Sequence, residues 1–217
     1  MAEIRLQKNL ISVVSANSEA YGGSQNFWKK SSMQGYGCGI IAVANLLLYM
    51  GLVPDANITG GKITKDDYMA LCNTLRRRYF PIIPRFGING IELSAGVNRY
   101  FRINRIPMRA SWFVPEKKLY SEIERMLSED IPVIIAAGPG FPRIWKKDRL
   151  SLYDANMHKA SSCRAHYMTV TALDDDGITV SSWGRKYYIR KSDYSEYVKK
   201  SSNTYLSSIL KITKKDS

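Results

Sequence analysis

The stretch Met33–Gly51, MQGYGCGIIAVANLLLYMG, places Cys38 between two glycines at the head of one of the most apolar segments of the chain. From Cys38 to Met50, apolar residues occupy every face of a helix, which predicts a helix buried on all sides rather than an amphipathic surface helix. A cysteine that only packs needs neither glycine neighbours nor a helix start. The stretch therefore predicts a buried helix with a functional thiol at its N-terminus, and the alternative is a small packed cysteine in a glycine turn.

Length and composition describe a single globular domain. The chain has 217 residues, of which 45% are hydrophobic, and we predict one domain over 1–217, with an extended lead-in over 1–32 and a frayed basic tail over 210–217. No run approaches the ~20 apolar residues of a membrane helix, and the N-terminus lacks the basic-then-apolar order of a secretion signal. We therefore expect no membrane span and a cytoplasmic location, or secretion if a signal has been trimmed.

The charge balance predicts acidic partners. The 32 Lys and Arg residues exceed the 19 Asp and Glu residues, which gives a net charge of +13. Such a surface attracts anions over long range. The basic residues are scattered, without zinc-finger spacing or interleaved aromatic residues, so no specific nucleic-acid site is expected. Non-specific nucleic-acid binding through charge alone stays as a third hypothesis for function.

The hydrophobic period changes along the chain, from helical in the first half to alternating in the second. Thr64 followed by Asp67 resembles a capping box at the start of a helix. Helices are predicted near 65–80, 91–101 and 116–130, an extended segment at 106–114, and strands at 131–138, 166–173, 178–183 and 185–190. Helices that precede an antiparallel meander predict an α+β fold in which the helix after Cys38 packs on a C-terminal sheet.

The three cysteines, Cys38, Cys72 and Cys163, form no CxxC pair, so neither a disulfide framework nor a zinc site is expected. A reducing compartment, with no metal and no organic cofactor, fits this pattern. A helix N-terminus lowers the pKa of a thiol, and the thiolate is the nucleophile. Gly37 would leave the approach to the sulfur open, and the Cys38 amide could donate to a developing oxyanion.

A thiol nucleophile needs a base, and the chain has two histidines, His158 and His166. His166 opens a predicted strand, whereas His158 lies in a polar loop and is expected at the surface. The hairpin after DDDG would return the SSWG stretch beside the His166 strand, where Ser181 could orient the imidazole and Trp183 could shield that hydrogen bond. The alternative is a core histidine with a backbone partner, and plain core packing for Trp183.

The order Cys38, His166 and then SSWG resembles the papain-like cysteine peptidases, in which the last motif is usually Asn-Ser-Trp-Gly. Within that superfamily GCGIIA, IPVIIAAG and HYMTVTAL are most similar to bacterial peptidases related to bacteriocin-leader-processing domains. The similarity covers Gln34–Gly51 and Ile131–Ile189. It implies a papain-like fold, Cys38 as nucleophile, His166 as base and then acid, and an upstream glutamine, Gln34, as oxyanion donor. Two departures are the short spacing of Gln34 and a serine at the orienting position.

The resemblance implies a cysteine-dependent hydrolase, a probable peptidase, that cleaves peptide or amide bonds through an acyl-enzyme; related thiol acyltransferases use the same parts. Its partner would be a peptide or protein substrate. The loop 138–150 could supply substrate contacts from Trp145 and Phe141, and its basic residues would favour an acidic substrate; an exposed basic loop is the alternative. The second hypothesis is a non-catalytic papain-like module that binds an acidic partner.

Overall fold

A large antiparallel sheet organises the computed structural model, which describes residues 3–82, 87–140 and 148–215. The strands are β1 (Ile4–Arg5), β2 (Ser12–Ser15), β3 (Ser18–Tyr21), β4 (Lys62–Thr64), β5 (Met108–Trp112), β6 (Val133–Ala137), β7 (Leu150–Tyr153), β8 (Lys159–Cys163), β9 (His166–Leu173), β10 (Gly177–Ser182), β11 (Arg185–Arg190) and β12 (Ile209–Lys214). The main sheet has the order β5-β12-β6-β9-β10-β11-β7-β8, and β1 also pairs with β9. A second sheet has the order β3-β2-β4, in which β2 and β4 are parallel.

Helices pack on this sheet at several points of the chain. They are α1 (Ser32–Tyr36), α2 (Cys38–Tyr49), α3 (Lys65–Arg78), α4 (Gly90–Ile103), α5 (Leu119–Ser128) and α6 (Lys191–Ser201). A mixed architecture with a large antiparallel sheet agrees with the predicted α+β class, and α3 to α5 lie where helices were predicted. The order is less segregated than expected, because α6 follows β11, and β7 and β8 were not predicted.

Helix α2 is buried on every face, as the sequence predicts. Every residue from Gly39 to Tyr49 is buried, whereas Cys38 at its head is half-buried. On one side Tyr68 of α3 donates to the Ile41 carbonyl oxygen at 3.1 Å, and α2 packs against β9 and β6 on the other. Despite this apolar character, none of the helices in the described ranges is long and apolar enough to cross a membrane.

Strand β9 carries a β-bulge that changes which side chains share a face with His166. Thr179 of β10 pairs with Ala172, whereas the next residue, Val180, pairs with Val170, so Thr171 is an extra residue on β9. Successive side chains of a strand point to opposite faces, so one extra residue exchanges the faces of everything beyond it relative to the partner strand. The bulge therefore decides which serine of β10 lies on the His166 side.

Both ends of the chain are built into the fold. In the lead-in β1 pairs with β9 and β2 with β4, and Leu10, Ile11 and Val13 are buried. The prediction of a frayed tail over 210–217 is wrong for 210–214, since β12 lies between β5 and β6 with Leu210 and Ile212 fully buried. Alternating apolar residues are enough to make this basic segment an inner strand. Residues 216 and 217 of the predicted tail lie outside the described residues.

Strand β5 is an edge of the main sheet, and α4 covers it through one side chain. The Asn98 amide nitrogen donates to the Ala110 carbonyl oxygen at 2.7 Å, and its Oδ1 accepts from the Ala110 amide at 2.8 Å. One side-chain amide thus satisfies both backbone groups that a further strand would pair with. Helix α4 itself begins with a capping box between Asn89 and Glu92.

Candidate active site

Cys38 begins α2 directly after the short helix α1, and Gly37 makes this junction possible. A Cβ atom on Gly37 would lie 2.5 Å from the Met33 carbonyl oxygen, so a side chain cannot be accommodated there. Burial raises the pKa of the Cys38 thiol, while the backbone N–H groups of Tyr167, Gly39 and Cys38 itself act against that rise. Gly37 therefore has a packing role, and three amides surround the sulfur without overcoming its desolvation.

His166 lies at the start of β9 and is 7% exposed. Burial, and secondarily the positive charge of Arg149, lower the pKa of the imidazole to about 3. Arg149 is held beside it by two hydrogen bonds to Ser162 of β8, at 3.0 Å from Nε to Oγ and 2.9 Å from Nη2 to the carbonyl oxygen. The ring is therefore neutral at physiological pH.

The hydroxyl that contacts His166 belongs to Ser182, not to the predicted Ser181. His166 Nε2 and Ser182 Oγ are 2.7 Å apart, whereas Ser181 donates to the Tyr21 carbonyl oxygen at 2.6 Å. The bulge at Thr171 explains the difference: without it Ser181 would lie on the His166 face of the sheet, and with it Ser182 does. The sequence alone gives no signal for the bulge.

Trp183 stacks on the imidazole, with ring centroids 4.4 Å apart and 20° between the planes. It is held there in a tight hairpin turn in which Trp183 and Gly184 both have positive φ, at 49° and 75°. A left-handed conformation costs a bulky residue about 1–2 kcal/mol. The turn places the indole over the ring that Ser182 contacts, which is the shielding position expected for Trp183.

The glutamine at this site is Gln25, not the predicted Gln34. Gln34 is exposed, and its Oε1 accepts from the Lys30 amide at 2.9 Å, away from Cys38. Gln25 is 7% exposed, lines the same cavity as Cys38, and donates from Nε2 to the Gln34 carbonyl oxygen at 2.9 Å. That bond uses one of the two N–H groups of Nε2 and orients the amide. The usual spacing of such a glutamine, further upstream of the cysteine, is the signal that could have identified Gln25.

These groups meet in one small cavity of about 10 Å³, which has room for about one water molecule. Its lining joins the lead-in, α2 and two strands of the sheet: Gly23, Gln25, Cys38, Ile41, Ala42, Asn45, His166, Tyr167, Met168, Thr169, Ser181, Ser182 and Trp183. The predicted contact Trp145, like Phe141, lies outside the described residues. The cavity brings together Cys38, His166 and Trp183 as predicted, and leaves out Gln34 and Gly37.

A buried polar network supports the floor of the cavity through Asn45, two turns along α2 from Cys38. Asn45 Oδ1 accepts from the Gly23 amide at 3.0 Å and from the Tyr68 hydroxyl at 2.8 Å, and Nδ2 donates to Thr169 Oγ1 at 3.3 Å. The three partners lie on the lead-in, α3 and β9. A buried amide with partners on three elements fixes the positions of those elements.

The thiol and the imidazole share the cavity in an uncharged resting state. Among the hydrogen bonds of the described residues none joins Cys38 to His166. A raised thiol pKa and a lowered imidazole pKa both favour the uncharged forms of the two groups in this arrangement. Proton transfer from sulfur to ring would therefore accompany attack on a substrate rather than precede it.

Within the described residues, the side chains named above are the groups on which a chemical role for this site depends. Within the described ranges there is no group of three or more His, Cys, Asp or Glu side chains that could hold a metal ion. Comparison with family models, with curated proteins and with solved structures found no match for this chain. The argument for function consequently depends on the geometry of the site.

Proposed function

We propose that the protein is a cysteine-dependent acyl hydrolase that cleaves peptide or amide bonds. The single observation that carries the proposal is the meeting of Cys38, His166, Ser182 and Gln25 in one cavity, although these residues come from distant parts of the chain. A packed cysteine does not require a neutral imidazole, an orienting hydroxyl and a buried amide donor around it. Nucleophilic catalysis requires all three.

In the proposed reaction, the Cys38 sulfur forms a bond to the substrate carbonyl carbon as its proton passes to Nδ1 of His166. Ser182 accepts from Nε2–H and keeps Nδ1 free as the base. The free N–H of Gln25 and the Cys38 amide stabilise the oxyanion. The C–N bond then breaks, and the proton on His166 goes to the leaving amine. Water, deprotonated by His166, cleaves the thioester, and the proton returns to the sulfur.

The finer fold assignment belongs to the same proposal. A nucleophile helix packed on an antiparallel sheet, a histidine opening one strand, and a tryptophan stacked on that histidine support a papain-like arrangement. Ser182 takes the part that Asn usually has in that family, and a serine holds the ring with one neutral hydrogen bond. A neutral orienting group agrees with an imidazole that carries no charge at rest.

The test compares Cys38→Ala with Cys163→Ala, since Cys163 is fully buried and has no assigned role. Hydrolysis of a mixed peptide library is followed by mass spectrometry, and thiol labelling by iodoacetamide at pH 7 is measured in parallel. Cys38→Ala should keep its melting temperature within a few degrees but lose turnover about a thousandfold or more, together with labelling. Cys163→Ala should retain both. Unchanged labelling of Cys38→Ala would contradict the proposal.

A second candidate is a non-catalytic module that binds an acidic partner. The raised pKa of the Cys38 thiol and the small volume of the cavity favour it, because an unused thiol has no reason to be activated. The two candidates differ in the pH dependence of alkylation. A hydrolase should label at neutral pH in a manner that His166→Ala abolishes, whereas a binding module should label only above about pH 8, with or without His166.

A further inference from the structure

A groove between α4 and β5 concentrates positive charge outside the cavity. Its volume is about 380 Å³, and its floor and walls are formed by Ala95, Asn98, Arg99, Arg102, Met108, Arg109 and Lys215. Among the described residues that line it there is no carboxylate. In the described part of the chain, no hydrogen bond or ion pair involves the side chains of the four cationic residues.

The structure holds these like charges together on rigid elements. Arg99 and Arg102 are one turn apart on α4, and like charges at this spacing destabilise a helix. The Asn98 amide fixes α4 to β5, and the Lys215 amide donates to the Pro107 carbonyl oxygen at 2.9 Å, which fixes the opposite wall. A preformed cationic groove without internal compensation is complementary to an anionic ligand.

The groove continues toward the cysteine along one face of α4. Ile91, Ala95, Asn98, Arg99 and Arg102 follow the helical spacing of three, four and seven, so they form one stripe. Ile91, at the start of the stripe, is 57% exposed although it is apolar. Eleven residues of helix from Ile91 to Arg102 span about 16 Å.

The start of this stripe lies beside the head of α2. A Cβ atom on Gly39 would be 3.3 Å from both Leu93 of α4 and the Tyr167 ring, so α4 and β9 meet next to Cys38. Trp112 packs flat against Gly90, in the first turn of α4, and contacts Tyr167 edge-on with centroids 5.8 Å apart. Leu93 is buried and lies on the opposite side of α4 from Ile91, so this contact is made by the buried face of the helix. The stripe and the groove form one exposed surface, whose nearer end lies about 10 Å, one helix diameter, from that contact.

We propose that this surface binds the acyl substrate of Cys38, and that the substrate is a peptide with an apolar residue near the scissile bond and acidic residues about three to six positions away. The distance follows from the length of the stripe and from the ~3.3 Å rise per residue of an extended chain. This inference rests on the proposed hydrolase function. A peptide is favoured over single-stranded nucleic acid because none of the described residues that line the groove has an aromatic ring to stack on bases.

Binding is tested first in Cys38→Ala, where turnover cannot interfere. The probes are a fluorescent twelve-residue peptide with six glutamates, the same peptide with six glutamines, and the oligonucleotide dT12. Arg102→Glu with Arg109→Glu should weaken binding of the glutamate peptide about tenfold or more. The matched control is Arg77→Glu with Arg78→Glu, which makes the same charge change at exposed positions in the last turn of α3. Binding in the control should change less than twofold.

Position along the peptide is tested with the wild-type cysteine. Peptides carry a thiol-reactive vinyl sulfone and three glutamates placed either four or ten residues from it, and the labelling rate of Cys38 is measured. The nearer placement should label about tenfold faster, and the groove variant should remove that advantage. Equal weakening by the control pair, tighter binding of dT12, or equal rates for both placements would overturn the inference. Labelling that fails for every peptide, with glutamate binding intact, would contradict the hydrolase proposal, and with it the assignment of the bound peptide as a substrate of Cys38.

Discussion

The cavity at Cys38 and the groove between α4 and β5 have opposite electrostatic character. In the cavity, of about 10 Å³, burial keeps both the thiol and the imidazole uncharged. In the groove, of about 380 Å³, four basic side chains face solvent. The difference teaches that the positive charge offered to a ligand and the proposed chemistry lie on separate surfaces. Substitutions should separate the two.

The largest expected effect distinguishes two glutamines. Gln25→Ala removes the amide N–H that we propose stabilises the oxyanion, and kcat should fall about 10²–10³-fold. Gln34→Ala should change kcat less than about threefold, because its side chain only accepts from the Lys30 amide. Steady-state hydrolysis of the peptides found in the library screen measures both. Equal losses in the two variants would remove Gln25 from the site.

Acid should unfold the protein through His166. The pKa of this imidazole is lowered from 6.5 to about 3, so between these pH values the unfolded chain binds a proton that the folded chain does not. The free energy of unfolding should therefore fall by about 1.4 kcal/mol per pH unit from pH 6 to pH 4. Urea titrations at several pH values measure the slope.

His166→Gln, which can keep a hydrogen bond to Ser182, should remove that part of the slope. The matched control is His158→Gln, since His158 is exposed. If the pH dependence of the free energy of unfolding survives His166→Gln, His166 is not buried as the structure has it. The comparison between a buried cavity and a solvent-exposed groove would then no longer hold.

The two adjacent serines should separate activity from stability. Ser182→Ala removes the partner of His166 Nε2 and should lower kcat about tenfold with little loss of stability. Ser181→Ala leaves the Tyr21 carbonyl oxygen without its donor and should lower the free energy of unfolding by about 1 kcal/mol while kcat stays within about twofold. Steady-state kinetics measure kcat, and urea titration measures the free energy of unfolding, for both variants. A loss of kcat in Ser181→Ala but not in Ser182→Ala would instead identify Ser181 as the partner of the His166 ring.

The smallest expected effect is that of salt. Raising NaCl from 50 to 500 mM shortens the range of surface charge, so kcat/KM for an acidic peptide should fall about threefold. The rate of Cys38 alkylation by neutral iodoacetamide should stay constant, because the cavity holds no charge to screen. If peptide hydrolysis and Cys38 alkylation both slow with salt, the positive charge of the groove also acts at the Cys38 sulfur.

The elements around the site could be predicted from local sequence patterns. Thirteen successive residues from Cys38 to Met50 predict the buried helix, and the alternation in HYMTVTAL with the DDDG turn predicts the hairpin that carries His166. These signals are local, because each depends on neighbours within one helix or hairpin. The capping of α3 by Thr64, whose side chain accepts from the Asp67 amide, is of the same kind.

What the sequence could not predict depends on contacts between distant segments. The bulge at Thr171 exchanges Ser181 for Ser182, and it is a property of how β9 meets β10 rather than of either strand. Gln25 reaches Cys38 only because the lead-in packs against α2 through Asn45. From the sequence alone, the segment of β12 resembles a basic tail. Its pairing with β5 and β6 identifies it as an inner strand.

The Asn98 amide has a consequence for the protein in concentrated solution. By occupying both backbone groups of Ala110, it removes that residue of the β5 edge from pairing with another chain. The same residue forms part of the floor of the cationic groove. A replacement of Asn98 would therefore uncover a pairing site at this edge and, at the same time, alter the groove proposed to bind an acidic peptide.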